Sequence, residues 1–212
     1  MAMLNKLLMP FGLLLATMLS FNATTVVAED AMPEPQALVK QASDDMLKAL
    51  AEHEAELETN PDKIYELVES ILMPHFDFEK MSKLALGKNW RAANDEQRVR
   101  FIEEFRLLLV RTYSTAMLEY TDEEIRFLPF RDDLSRKRVT VPMEVVQTAG
   151  PSIPMALSLY QNDDAAWKVY DVKIDGISLV TNYRSSFANE IRNGGMEKLI
   201  QSLADRNAKV KA

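Results

Sequence analysis

Residues 138–174 read RVTVPMEVVQTAGPSIPMALSLYQNDDAAWKVYDVKI, and this stretch decides the fold class. Apolar residues recur every second position, at Val139, Val141, Met143 and Val145 and again at Ile153, Met155, Leu157 and Leu159. A period of two with β-branched and aromatic enrichment predicts strands over 138–148, 152–161 and 167–174. Ala149-Gly150-Pro151 and Asn162-Asp163-Asp164 supply turn chemistry at hairpin distance. A further strand is expected over 125–130, so four strands form an antiparallel meander. Alternation alone leaves open which sheet face points inward.

Upstream of the strands the period is 3.6. Leu38, Ala42, Met46, Ala49, Leu50, His53 and Leu57 form one stripe of a first helix. Pro61 restarts the chain, Ile64, Leu67, Val68, Ile71 and Leu72 make a second stripe, and Pro74 ends it. Asp77 is placed to cap a short third helix that Gly87 closes. Asn94 and Gln97 form a capping-box pattern ahead of a long fourth helix, expected to reach Tyr120. Two closing helices are expected over 178–192 and 196–207, divided by Gly194-Gly195. Helices, then a sheet, then helices make an α+β fold.

The first 28 residues read as an export signal. Lys6 gives the positive start, 7–19 is an apolar run too short to span a bilayer, and Val26-Val27-Ala28 offers a cleavage site. The expected organisation is 1–28 signal peptide, 29–34 lead-in, 35–207 a single domain and 208–212 tail. Within that domain 35–121 is helical, 122–175 is sheet and 176–207 holds the closing helices.

Composition narrows the function. The 212 residues contain no cysteine, which excludes disulfide scaffolds, thiolate metal sites and a lipidated N-terminal cysteine. The formal net charge is −7, and loss of Lys6 with the signal leaves 24 basic against 32 acidic residues, a net −8. That balance argues against a nucleic-acid partner. At 47% hydrophobic content the chain has ample core supply. The only histidines are His53, on the first helix's apolar stripe and read as a hydrogen-bonded packing residue, and His75, in a helix connection. Asp132-Asp133 and Asp163-Asp164 sit in predicted turns, where Asp is expected. Enzyme motifs are missing, so no catalytic residue is assigned. The apolar faces exceed what a two-layer packing needs, which fits either a generous core or a cavity lined by Met, Leu, Val and Tyr.

Several collinear segments carry a family likeness. They are Leu84-Ala-Leu-Gly-Lys-Asn-Trp90, Gln97-Arg98, Phe101-x-x-x-Phe105-Arg106, Leu109-Val-Arg-Thr-Tyr113, Ile153-Pro154, Trp167-Lys-Val-Tyr-Asp-Val172, Gly176-Ile-Ser-Leu-Val-Thr-Asn-Tyr-Arg184, Phe187 and Gly194-Gly195-Met-x-x-Leu-Ile200. The set resembles the MlaC family of periplasmic phospholipid-binding proteins, also called toluene-tolerance auxiliary proteins. The resemblance implies a twisted, NTF2-like four-stranded sheet wrapped by N- and C-terminal helices that enclose an apolar cavity. It implies a glycerophospholipid ligand with its acyl chains inside and its head group in water, and no other cofactor. It also implies exchange with an inner-membrane ABC transporter carrying an MCE-domain ring and with an outer-membrane lipoprotein–porin complex, by a monomer in the periplasm. Two acyl chains of about 30 methylenes at about 0.8 kcal/mol each need roughly 24 kcal/mol of apolar transfer matched inside the protein.

On that reading the expected lining is Met143, Val145, Met155, Leu157 and Leu159 from the strands, then Val172, Ile177, Val180 and Tyr183. Leu108, Tyr113 and Met117 face them from the long helix. Ile177 ranks first, from the family's Gly-(Val/Ile)-Ser segment, and Arg184 is a head-group candidate. Each also fits plain core. The other function class is an NTF2-like enzyme acting on a hydrophobic small molecule, with Tyr113, Asp171 or His75 as base. Arg131, Arg136, Lys137 and Arg138 make a basic loop that reads as a solvated loop or a docking patch.

Overall fold

The computed structural model describes residues 32–118, 124–148 and 150–209. The expected signal peptide, the end of the fourth helix at Tyr120 and the last residues of the tail lie outside them.

The helical part opens with α1, Glu34–Glu52, which buries Val39, Ala42, Met46, Ala49 and Leu50 at helical spacing. The long first stripe divides at His53, whose φ of −108° and ψ of 14° end α1 and begin α2, Glu54–Thr59. His53 thus has the hydrogen bond expected of it but not the packed position. Its ring is partly exposed and its Nδ1 lies 3.0 Å from Glu56 Oε2. Helix α3, Lys63–Ile71, follows, and Pro74 sits in a 3-10 turn, Met73–His75. Asp77 caps α4, Phe78–Leu86, by accepting the Lys80 N–H at 2.8 Å. Gly87 ends it at φ 54°, a value that costs glycine least. A one-turn helix that the sequence pattern did not mark, α5, Asn89–Ala92, leads to α6, Asp95–Leu118. The capping box forms in both directions: Gln97 N–H donates to Asn94 Oδ1 and Asn94 N–H to Gln97 Oε1.

The sheet has five strands, not four: β1 Glu124–Phe127, β2 Arg138–Val146, β3 Ile153–Gln161, β4 Trp167–Ile174 and β5 Ile177–Ser178, antiparallel in that order. The added strand comes from Asp175 and Gly176, both at positive φ, which turn the chain so that Ile177 pairs Ile174. A bulge in β4 sets Asp171 opposite Ser158 and Val169 opposite Leu159. The extra residue, Tyr170, keeps Trp167, Val169, Val172 and Ile174 all directed to the packed face, which strict alternation would not allow. The last element, α7, Leu179–Lys209, is two helices joined across Gly195 at φ 80° and ψ 177°.

Buried side chains gather in three clusters. Met81, Leu86, Phe101, Phe105, Phe187 and Leu203 join α4, α6 and α7. Val139, Val141, Leu157, Leu159, Trp167 and Val169 make the sheet's packed face, with Val39 of α1 against it. Met46, Leu50, Leu57, Ile64, Val68 and Val110 join α1, α2, α3 and α6.

Candidate ligand-binding cavity

Where the three clusters meet, they leave a cavity of about 480 Å³. That volume falls within the range of about 300–1,000 Å³ usual for small-ligand sites. The aromatic cluster contributes Met81 and Leu109, the sheet contributes Met143, Leu157, Val169 and Val172, and the α1–α3–α6 cluster contributes Met46, Leu50, Val68 and Val110. The wall is apolar apart from Ser43, His75, Tyr113 and Ser114.

Seven of the expected lining residues stand in this wall: Tyr113, Met117, Met143, Val145, Met155, Leu157 and Val172. They show that the sheet face carrying Val139, Val141, Met143 and Val145 is the inward one. The other expected residues stand elsewhere, each for a local reason. Leu159 is wholly buried but pairs Val139 and Val169 in the solid end of the sheet packing. Leu108 packs against the aromatic cluster and Val180 lies within it. Tyr183 stacks on Phe187 at 5.3 Å and meets Phe105 edge-on at 5.3 Å. Ile177 sits in β5 beside the Asp175-Gly176 turn and is 59% exposed. Arg184 reaches α4: its Nε donates to Leu84 O at 2.7 Å, completing a carbonyl at that helix's C-terminal end.

Two parts of the wall escaped the sequence reading. The inner stripe of α1, with Leu38, Val39, Ala42, Met46, Leu47 and Leu50, carries the signature of ordinary core, and periodicity cannot separate the two. The segment Leu72–Phe78 forms another side. It is pinned to β4 by a Phe76–Val169 bridge, by Asp77 N–H to Val169 O at 2.9 Å and by Lys168 Nζ to Pro74 O at 2.7 Å, and to β3 by the Tyr160 hydroxyl, which donates to Asp77 Oδ2. The sequence marked Leu72, Pro74, His75 and Asp77 here, none of them as lining.

Two of the candidate bases, Tyr113 and Asp171, are poorly placed for proton abstraction. Burial, reinforced by Tyr183, pushes the Tyr113 hydroxyl up to about 12. Asp171 is buried and engaged at the start of α7, accepting from Ser178 Oγ at 2.7 Å and from Val180 N–H at 3.2 Å. Burial and the nearby Lys168 ammonium pull the His75 imidazole below its ordinary value, against the pull of Asp45. Among the described residues, no group of three His, Cys, Asp or Glu could hold a metal ion. No described helix is long and apolar enough to cross a membrane.

Comparison with known proteins adds the following. The family model described as MlaC protein matches residues 40–205. The chain is similar to the toluene tolerance protein ttg2D of Pseudomonas putida, 30% identical over 93% of this chain and 91% of that protein. It is also similar to the intermembrane phospholipid transport system binding protein MlaC of Haemophilus influenzae, 21% identical over 91% of this chain and 90% of that one. Among solved structures, the phospholipid-binding protein of Ralstonia solanacearum, in complex with a phospholipid, superposes with a TM-score of 0.78. It is 30% identical, covering 85% of this chain and all of that one.

Proposed function

The chain belongs to the MlaC family, and from that premise we propose that it is a phospholipid carrier which holds acyl chains in the cavity and performs no chemistry on them. The observation that carries this reading is the cavity itself, about 480 Å³ with hydrocarbon side chains on every side. Apolar transfer favours an alkyl chain in such a space by about 0.8 kcal/mol per methylene. Met46, Met73, Met81, Met117, Met143 and Met155 give the wall unbranched side chains that adapt to chains of different shape. The phospholipid held by the Ralstonia solanacearum protein supports the same occupant here.

In this proposal the head group stays in water, so a phosphate loop is unnecessary and an acidic protein can carry an anionic lipid. The sheet acts as an NTF2-like cone around the chains. After export on the signal of residues 1–28, the protein works as a monomer in the periplasm. There it exchanges glycerophospholipid with an inner-membrane ABC transporter bearing an MCE-domain ring and with an outer-membrane lipoprotein–porin complex. The engaged Asp171 and the raised Tyr113 support a binding protein over an enzyme.

Native mass spectrometry of gently purified protein, with thin-layer chromatography of its organic extract, tests the reading. Bound phospholipid is the expected result. Protein that emerges lipid-free and takes none up from phosphatidylethanolamine–phosphatidylglycerol vesicles overturns it.

A further inference from the structure

Buried polar side chains in folded proteins almost always have partners, so the four in the cavity wall can be sorted by what satisfies them. Ser43 Oγ donates to Val39 O at 2.9 Å. Tyr113 is met by Tyr183. Ser114 is 1% exposed and its hydroxyl has no partner. The ring of His75 makes no hydrogen bond or ion pair to another described residue. Ser114 is sealed in the wall, whereas His75 is only half-buried and directly follows Pro74, which is exposed.

The charged groups around His75 come from two other elements. Lys168 reaches in from β4 and donates to the carbonyl of Pro74, the residue just before the histidine. An ammonium has three N–H donors, so two remain. Asp45 approaches from α1. An imidazole in the cavity wall therefore has an ammonium close outside it, held on the exposed neighbouring residue Pro74. We propose that His75, with Lys168 behind it, is the polar contact for the phosphodiester of the lipid whose chains fill the cavity. This contact rests on the phospholipid reading above and goes beyond it by fixing which end of the ligand lies where.

The chemistry favours that orientation. A phosphodiester carries a full negative charge and cannot be buried without compensation, so it belongs at a half-exposed edge. A neutral imidazole offers it one N–H, and the ammonium adds attraction without lying in the apolar interior. Depth then follows, because the chains hang inward from a fixed phosphate. Asp45 makes the edge less favourable to a second anion.

Imidazole resonances give a direct test, because the chain has only two histidines and His53, at the α1–α2 break, serves as internal reference. Full-length mature protein is titrated by NMR after loading with phosphatidylglycerol, after loading with diacylglycerol of the same chains, and lipid-free with inorganic phosphate. A nearby phosphodiester stabilises the imidazolium, so the His75 midpoint is expected at higher pH with phosphatidylglycerol than with diacylglycerol, while His53 stays put. Equal midpoints with the two lipids overturn the contact. So does a shift with inorganic phosphate alone as large as with phosphatidylglycerol, which would mark a site for the free anion.

The variant His75→Phe keeps a ring in the wall. It is expected to remain folded by circular dichroism and to lose preference for phosphatidylglycerol over diacylglycerol by roughly tenfold, the fold-change of one hydrogen bond to a charged acceptor. An unchanged preference overturns the proposal. Wild-type protein that carries neither lipid overturns the carrier reading itself, whereas protein that carries both without discrimination overturns only the contact.

Discussion

Helix α6 borders two spaces, and only one of them is filled. Its first half turns Phe101 and Phe105 towards α4 and α7, where they meet Phe187. The rings cross at 5.4 Å and interplanar angles of 89° and 83°, the edge-to-face geometry that interlocks aromatic side chains. Its second half turns Leu109, Val110, Tyr113 and Met117 towards α1 and the sheet, and there the cavity remains. Both faces are equally apolar in pattern. The difference lies in reach: rings from facing helices interlock and fill the first space, while the second is lined mostly by aliphatic chains, with Phe76, Phe78 and Tyr113 among them, that do not reach across it.

The largest expected effect comes from truncating each space in turn. Phe105 is fully buried, and Phe105→Ala should cost about 3–5 kcal/mol, because a new void opens in close packing. Met143 is 6% exposed and borders a void that already exists. Met143→Ala in delipidated protein should therefore cost less than the 2 kcal/mol or so at the low end of methionine truncations. Urea unfolding of both variants gives the ratio, and equal costs would mean that the second space is closed in solution.

Enlargement separates the spaces from the other side. Val172 lines the cavity and Val180 lies in the aromatic cluster, eight residues further along. Val180→Phe should destabilise by about 1–3 kcal/mol through overpacking. Val172→Phe has room for its ring, so the delipidated protein should unfold at nearly the wild-type urea concentration while carrying less phospholipid. If Val172→Phe destabilises as strongly as Val180→Phe, the cavity cannot accept even one ring.

That same pair shows how much could be read from the chain. Both valines were expected in the lining, since both continue an apolar pattern out of the fourth strand. Periodicity reports that a residue faces inward and is silent on whether anything faces it. Hence the α+β order, the four longer strands, the α6 capping box and the stop at Gly195 were legible. They depend on local chemistry, with Asn94 and Gln97 or Asp77 and Lys80 only three residues apart. The fifth strand was legible in principle from Asp175-Gly176. The Tyr170 bulge and the partners of Tyr183 and Arg184 were not, because Ser158, Phe105 and Leu84 lie far away in sequence. His75 was noticed but its surroundings were hidden for a related reason: Lys168 comes from a strand nearly a hundred residues downstream.

The smallest effect belongs to the seam between the two spaces. Tyr113 stands in the cavity wall and also packs against the aromatic cluster, where its hydroxyl meets Tyr183. Burial first, and Tyr183 second, push it up to about 12 from an ordinary value of 10.0. Below pH 10 the folded and unfolded chains both hold this proton, and its contribution to stability is complete. Between pH 10 and about 12 the unfolded chain releases the proton while the folded chain keeps it, so stability falls as pH rises. Tyr160 reaches about 12 for a different reason, its hydroxyl donating to Asp77 outside either space. Tyr113→Phe should therefore flatten part of the alkaline loss of urea stability, and Tyr160→Phe another part. A bound lipid keeps water from the cavity side of Tyr113 and none from Tyr160. Loading should thus delay the 295 nm phenolate signal in Tyr160→Phe protein and leave it unmoved in Tyr113→Phe. Delay in both variants would place the ligand outside the space that α6 leaves open.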